Sequence, residues 1–444
     1  MNYEEKERLV LASRRRQDIQ RLKMGGRAVL EDRRKAGLIA LYLFAALFVW
    51  TFRVPLFGLD GQDVFGLVNR VSWAALLPVL FFAGLLALLW RLGTPWGARP
   101  IEDAVKRSGI VNHAGETPML SRKYKDAKRP RVTVLEFWGN GAPLKNWTDK
   151  QDALEAALNR NIVKMTEGRD KQHILVYTVP AESVLPERLE WRDECTDTGK
   201  GFTLKLGESL LGPVTVDLAK IPHVLLGGST GSGKTVLLKL LIRQCLQKGA
   251  SVILADFKGG VDYPVAWRQE CRMVCSESDL LDALTAAVDE LEHRKECLPL
   301  RDAANIDEYN ERAPWPTYGR IIFAFDEVAE VLDKTGLSKE RKELVAKIES
   351  KLSIIARQGR AFGIHLILAT QRPDANILSG QIRNNIDFRV CGRADSVLSQ
   401  IILDNTSASD KISPDVQGRF ITKDGTVFQG FLLNEGEIKE ASYV

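Results

Sequence analysis

Cysteine is scarce in this chain and does not pair by spacing. Six cysteines stand at 195, 245, 271, 275, 297 and 391 of 444 residues, and none forms a CxxC. Cys271 and Cys275 have no partner ligands close by in the sequence. The pattern argues against a disulfide scaffold or a structural zinc and for free, buried thiols in a reducing compartment. An excess of one charge is also lacking. With 62 basic and 57 acidic residues the net charge is +5, so composition alone does not call for a nucleic-acid partner. The first apolar run starts late and no small-residue cleavage motif follows it, which excludes a cleavable signal peptide. The length is too great for one ordinary domain and suits two or three.

Two stretches lack charge altogether. They are AGLIALYLFAALFVWTF (36–52) and VSWAALLPVLFFAGLLALLW (71–90). A membrane span needs about 20 apolar residues, with a lower limit of about 17. Buried helices of soluble proteins seldom run so far without a charge. Trp50, Trp73 and Trp90 sit at the segment ends, where interfacial aromatics belong. Pro78 is tolerable in lipid where a neighbour satisfies the freed carbonyl. Spans over about 36–54 and 71–91 are therefore expected, forming a hairpin across 36–92. Arg33, Arg34 and Lys35 precede it, Arg91 and Arg99 follow it, and the connecting loop holds only Arg53 and Arg70. The positive-inside rule then makes this a two-pass cell-membrane protein with both termini in the cytoplasm.

Residues 1–35 carry eleven Lys/Arg against six Asp/Glu. They read as a basic, solvated and partly helical tail near anionic lipid. Residues 93–130, with SRKYKDAKRP, read as a juxtamembrane linker. Residues 131–205 read as a small α/β domain: RVTVLEF (131–137) and QHILVYTVP (172–180) as strands, TDKQDALEAALNRNI (148–162) as a helix between them. From 206 to 444 apolar strands alternate with helices. The strands are HVLLGG (223–228), SVILADF (251–257), RIIFAFDE (320–327), GIHLILATQ (363–371) and DFRVCGR (387–393). They are rich in Val, Ile, Leu and Phe with little alternation, as in a mostly parallel sheet covered on both faces. A hairpin follows, RFITKDGTVFQGFLL, with Asp424-Gly425 at its turn.

Two motifs carry the chemistry. GSTGSGKT, residues 228–235, fits GxxxxGK[ST] directly after a strand and directly before a helix. Gly228, Ser229, Thr230, Gly231, Ser232 and Gly233 would turn backbone N–H groups onto phosphate oxygens, at a helix N-terminus. Lys234 would reach the β and γ phosphates of ATP, and Thr235 would bind Mg²⁺. The second motif, IIFAFDE (321–327), ends a strand in two carboxylates. Asp326 would hold the Mg²⁺ shell, and Glu327 would act as general base on water. A strand beside it, FGIHLILATQRPD (362–374), would deliver Gln371 to the γ-phosphate. Arg372 would face a neighbouring subunit or the adjacent loop, and Pro373 would stop the strand. Together these give a RecA-like P-loop ATPase, preceded by the small α/β domain and the hairpin anchor.

HVLLGGSTGSGKT, ILADFKG, IIFAFDE and RQGRAFGIHLILATQRPDANILSGQIRNNIDFRV closely resemble the motor domain of the FtsK/SpoIIIE DNA translocases, over roughly 206–435. The resemblance implies a homo-hexameric ring that threads DNA through its pore at the expense of ATP, with residues 131–205 as the small domain those motors carry before the ATPase. Arg360 and Arg383 match basic residues facing DNA in the channel, and Arg357 lies in the same stretch. Arg360 is alternatively an arginine finger, and a solvated surface arginine would read the same in sequence. Lys258, in DFKGG, is a further basic candidate, unless Asp256 beside it only orders the strand end. Gln400 stands where many relatives carry Arg. Two spans, no long Pro/Gln-rich linker and no winged helix after the motor resemble compact coupling proteins of conjugative plasmids and integrative elements. That implies a relaxase or relaxosome and secretion-channel proteins as partners. A chromosome or plasmid segregation translocase, or a type VII-like protein-export ATPase, are the alternatives.

Overall fold

The computed structural model describes residues 3–59, 64–197, 199, 201–312, 317–372 and 378–434. The chain forms two compact units, Met1–Ser183 and Val184–Val444.

The first unit opens with a 29-residue helix, Tyr3–Glu31, and two apolar helices, Arg33–Thr51 and Val64–Leu92. Asp32 separates the first two: its carboxylate caps the second helix, accepting from the Arg34 N–H at 2.9 Å. Both apolar helices are long and apolar enough to cross a membrane, and only 0% and 6% of their most apolar stretches is covered by the protein itself. Such uncovered apolar surface calls for lipid or another helix. The basic N-terminal segment departs from the solvated tail read in the sequence. Its described part packs on the second apolar helix at two glycines. A Cβ on Gly25 would lie 1.9 Å from the Leu89 carbonyl, and one on Gly93 would lie 2.0 Å from that of Arg21. Arg21 is buried there, donating to the carbonyls of Gly93 at 3.1 Å and Leu120 at 2.7 Å and pairing with Glu102. A guanidinium with all these acceptors can be withdrawn from water; one without them could not.

Residues 98–125, expected within a linker, carry the helix Ala98–Arg107 and strand β1 (Met119–Lys125). With β2 (Thr133–Trp138), β3 (Arg160–Glu167) and β4 (His173–Pro180), β1 makes an antiparallel sheet of order β1-β2-β4-β3. The helix expected over 148–162 is two shorter ones, Leu144–Thr148 and Gln151–Leu158. It ends early because Asn159 turns left-handed (φ 50°) and releases the chain into β3. Phe137, Trp147, Leu154 and Val176 form the core of this layer. The small sheet therefore starts before residue 131 and ends before 205.

The second unit contains β5 (Thr203–Ser209), β6 (Gly212–Asp217), β7 (Val224–Gly227), β8 (Ser251–Ala255), β9 (Arg272–Val274), β10 (Ile321–Phe325), β11 (Ile364–Thr370), β12 (Phe388–Cys391), β13 (Arg419–Thr422) and β14 (Val427–Gly430). Among the described residues they form one ten-stranded sheet, ordered β6-β5-β14-β13-β12-β7-β11-β10-β8-β9. The stretch from β12 to β9 is parallel, and the other strands add antiparallel pairs at one side. Successive residues of β10 serve opposite cores. Ile322 and Ala324 pack with Leu226, Leu237 and Leu241, whereas Phe323 and Phe325 pack with Leu284, Leu352 and Leu366. That double burial is why the strands read as continuous apolar runs. All six cysteines are free; Cys245, Cys271 and Cys391 are buried and Cys275 is exposed.

Two histidines lie inside this layer. The Leu366 N–H donates to His223 Nδ1 at 3.0 Å, and His223 Nε2 donates to the Ala356 carbonyl at 3.2 Å. His365 Nδ1 donates to the Pro222 carbonyl at 3.0 Å. Burial pulls the His223 imidazole down to about 4 and His365 well below its ordinary range. A free histidine titrates near 6.5, so the unfolded chain binds these protons first. Stability from His223 is thus complete above about pH 6.5 and is lost as pH falls toward about 4. The loss from this group is roughly 3 kcal/mol. Thermal melts between pH 7.5 and 4 should show this slope, and His223→Gln should reduce it while the share of His365 remains; an unchanged slope in the variant would remove His223 as a source.

Candidate active site

The site is built where β7, β11 and β10 end side by side, for the pairing of β11 with both others is parallel and in register. After β7 the chain makes the 228–233 loop and enters the helix Lys234–Gln247. Gly233 has φ 95°, a left-handed conformation that admits glycine cheaply. At Gly228 a Cβ would lie 2.5 Å from Ser232 Oγ. The Ser232 hydroxyl is buried without a hydrogen-bond partner among the described residues. The loop is therefore a tight turn with an unpartnered buried hydroxyl at a helix N-terminus, suited to phosphate oxygens.

Lys234 is 3% exposed, and its ammonium donates to the Asp326 carbonyl at 2.7 Å. Burial pulls its pKa down, and Asp326 and Glu327 oppose that only in part. An ammonium short of anionic compensation is a receptor for phosphate. Thr235 Oγ1 donates to Asp326 Oδ1 at 2.9 Å. This adjacent hydroxyl and carboxylate are the donor set a Mg²⁺ ion takes in such loops, so the residues present fit that ion. Lys258 Nζ lies 3.3 Å from Asp326 Oδ2. Burial alone would lower Lys258, but Asp326 outweighs it and holds the lysine above its ordinary value. Asp256 accepts from the backbone N–H groups of Lys258 and Gly260 at 2.9 and 2.7 Å, and so shapes the turn that carries Lys258.

Glu327 is held from β11. Its Oε1 accepts from Thr370 Oγ1 at 2.8 Å, and its Oε2 accepts from the Gln371 N–H at 2.8 Å. The Gln371 side chain crosses to the loop, where its Oε1 accepts from Thr230 Oγ1 at 2.7 Å. One strand end thus touches both the carboxylate and the phosphate loop. Arg372 faces the adjacent loop of its own chain, 3.2 Å from Asp333 Oδ2. Pro373 lies outside the described residues.

The structure does not bring Arg357, Arg360 and Arg383 into this cluster. Arg357 donates to the Ser353 carbonyl of its own helix, Lys339–Phe362. Arg360 donates to the Ala219 carbonyl, ahead of the start of β7, whereas the site lies past that strand's end. Arg383 ends the short helix Gly380–Arg383 between β11 and β12. Gln400 is exposed on the helix Ser396–Leu403. Two contributors escaped the sequence reading. Thr370 stands beside Gln371 at the polar end of the strand, but nothing in the spacing gave its hydroxyl a role. Arg393 grips the loop from the strand on the other side of β7: Nη2 donates to the Thr230 carbonyl and Nη1 to that of Pro414, each at 2.6 Å.

A family model for FtsK/SpoIIIE matches residues 192–375. The solved monomer form of the pCW3 conjugation coupling protein TcpA with ATPγS is 32% identical. Its TM-score is 0.57, covering 78% of this chain and 99% of that one. The chain belongs to the FtsK/SpoIIIE family. The DNA translocase FtsK of Helicobacter pylori is 32% identical over 221 residues, 47% of this chain and 24% of that protein. That of Caldanaerobacter subterraneus subsp. tengcongensis is 27% identical over 331 residues, 70% of this chain and 43% of that protein. The chain spans less than half the length of either translocase. FtsK/SpoIIIE membership makes the second unit a P-loop ATPase.

The Glu327 clamp is open to a direct check. Thr370→Val keeps the shape and removes one donor to the carboxylate. A hydrogen bond to a charged group contributes about 1.5–3 kcal/mol, so kcat for ATP should fall roughly ten- to a hundredfold. The melting temperature should fall by several degrees at most, since the Gln371 and Ala329 N–H groups still hold the carboxylate. Turnover within twofold of the parent would show that the carboxylate does not depend on this hydroxyl.

Proposed function

We propose that the protein is a membrane-anchored, ATP-driven DNA translocase that serves as the coupling ATPase of conjugative DNA transfer. The likeness to TcpA over 99% of that chain is the observation that carries this reading. It joins a motor unit of the FtsK/SpoIIIE family to two helices able to cross a membrane. In this reading the Arg33–Lys35 and Arg91–Arg99 flanks keep both termini in the cytoplasm. Homo-hexamers thread DNA, and a relaxase with secretion-channel proteins supplies and receives it. The relatives named DNA translocase FtsK support a second reading, segregation of chromosomal or plasmid DNA by the same motor.

The chemistry assigned to the chain is hydrolysis of ATP. The 228–233 loop binds the phosphates, and Lys234 exchanges its Asp326 carbonyl for phosphate oxygens. Thr235 and Asp326 would hold Mg²⁺, which supplies positive charge to the phosphate oxygens. Glu327 takes the proton of the attacking water, its carboxylate oriented by Thr370 and the Gln371 N–H. Gln371 couples that event to the loop through Thr230. Arg357, Arg360 and Arg383 are assigned to DNA phosphates, with Arg360 alternatively reaching the site of a neighbouring protomer. Such contacts carry no sequence information and weaken with salt.

The full chain in detergent or vesicles should hydrolyse ATP, faster with added DNA. Glu327→Gln should lower kcat on the order of 10²–10⁴-fold while nucleotide binding persists, and Lys234→Ala should abolish both. ATP turnover indifferent to DNA and to Lys234→Ala would overturn the motor. Normal plasmid transfer by a Glu327→Gln strain, with turnover lost, would leave the motor and discard the coupling role.

A further inference from the structure

A cavity of about 950 Å³ lies within the first unit, where the N-terminal helix, the inner ends of the two apolar helices and β1 meet. Its wall is unusually mixed. Arg27, Lys35, Arg91, Arg122, Lys123 and Arg169 line it against two carboxylates, Glu31 and Asp32. Both carboxylates are already engaged. Glu31 pairs with Arg122 and lies 3.9 Å from Arg169, and Asp32 caps its helix. Arg91 donates to the Thr94 carbonyl at 3.3 Å. Arg27, Lys35 and Lys123 have no ion-pair partner among the described residues. Six cations thus line one concavity against two carboxylates, with Glu136 behind the wall 3.8 Å from Arg122.

The same cavity has an apolar side. Leu38 belongs to the first apolar helix, Leu88 and Leu92 to the second, and Trp96, 82% exposed, follows them. The charged end thus continues without a break into helix surface that the protein leaves uncovered. A soluble phosphate would use the cations and leave the leucines wet. An amphiphile with an anionic head and acyl chains satisfies both walls. Basic pockets between spanning helices on the cytoplasmic side are of the kind that takes anionic head groups.

We propose that this cavity binds the phosphodiester head of an anionic glycerophospholipid, with Lys35 and Lys123 on the phosphate and the acyl chains along Leu38, Leu88 and Leu92. The proposal rests on the membrane-anchor reading above. Bound lipid would tie the N-terminal helix and β1 to the helix hairpin through a ligand that only the membrane supplies.

The full chain, stripped of lipid in detergent, is titrated with phosphatidylglycerol or phosphatidylcholine and read by native mass spectrometry. Phosphatidylglycerol should be preferred. Each cation near an anionic surface contributes about fivefold, so Lys35→Gln with Lys123→Gln should weaken phosphatidylglycerol about 25-fold and phosphatidylcholine, whose choline offsets the same phosphate, much less. Lys→Arg at both positions should restore it. Equal affinity for the two lipids, or no change in the double variant, overturns the proposal. Displacement of the lipid by millimolar glycerol phosphate overturns it in favour of a soluble anion. Extraction of membranes with alkaline carbonate separates the two ideas. A parent chain that stays in the pellet yet shows no head-group preference sinks only the lipid site. A parent chain released to the supernatant sinks the anchor reading and this inference with it.

Discussion

The contact on which the site depends is the grip of β11 on Glu327. A carboxylate following a strand has many rotamers, and most point to water. Here Thr370 Oγ1 and the Gln371 N–H take one oxygen each and, with the Ala329 N–H also on Oε1, fix the plane of the group. The grip is possible because β10 and β11 are parallel neighbours in register, so their ends arrive at the same height. β7 flanks β11 on the other side, which brings the phosphate loop within reach of the same strand end. Sheet order, carboxylate orientation and loop contact are therefore one constraint, set by which strand lies between the other two.

Lys234 and Asp326 show the complementary principle. A buried ammonium and a buried carboxylate would each be costly alone. They are tolerated because the Asp326 main chain accepts from Lys234, while its carboxylate accepts from Thr235 and Lys258. The result is a polar cluster complete enough to fold.

Much of this was legible in the sequence, for definite reasons. The phosphate loop announces itself because its spacing is dictated by backbone geometry. The strands of the larger sheet were legible because double burial leaves long apolar runs. What escaped was local or remote. β3 was hidden because RNIVKMTE follows a helix with no glycine or proline between, and Asn159 made the turn instead. The strand nature of Met119–Lys125 was masked by its basic, half-exposed residues. Arg393 could not be found from spacing, since its partners Thr230 and Pro414 are distant in the chain. The arrival of Gln371 at the loop could be read from the strand's end, whereas nothing in the spacing gave the neighbouring hydroxyl a task.

Arg21 has a practical corollary for anyone wishing to handle the protein without detergent. Cutting just past the second apolar helix looks natural, yet it discards the guanidinium that satisfies the Leu120 carbonyl and Glu102. The shortened fragment would start with an orphaned acceptor at the root of its first strand and an acid left with the Leu120 N–H but without its cation. Severing between Ser183 and Val184, where the two compact units part, spares every one of those bonds.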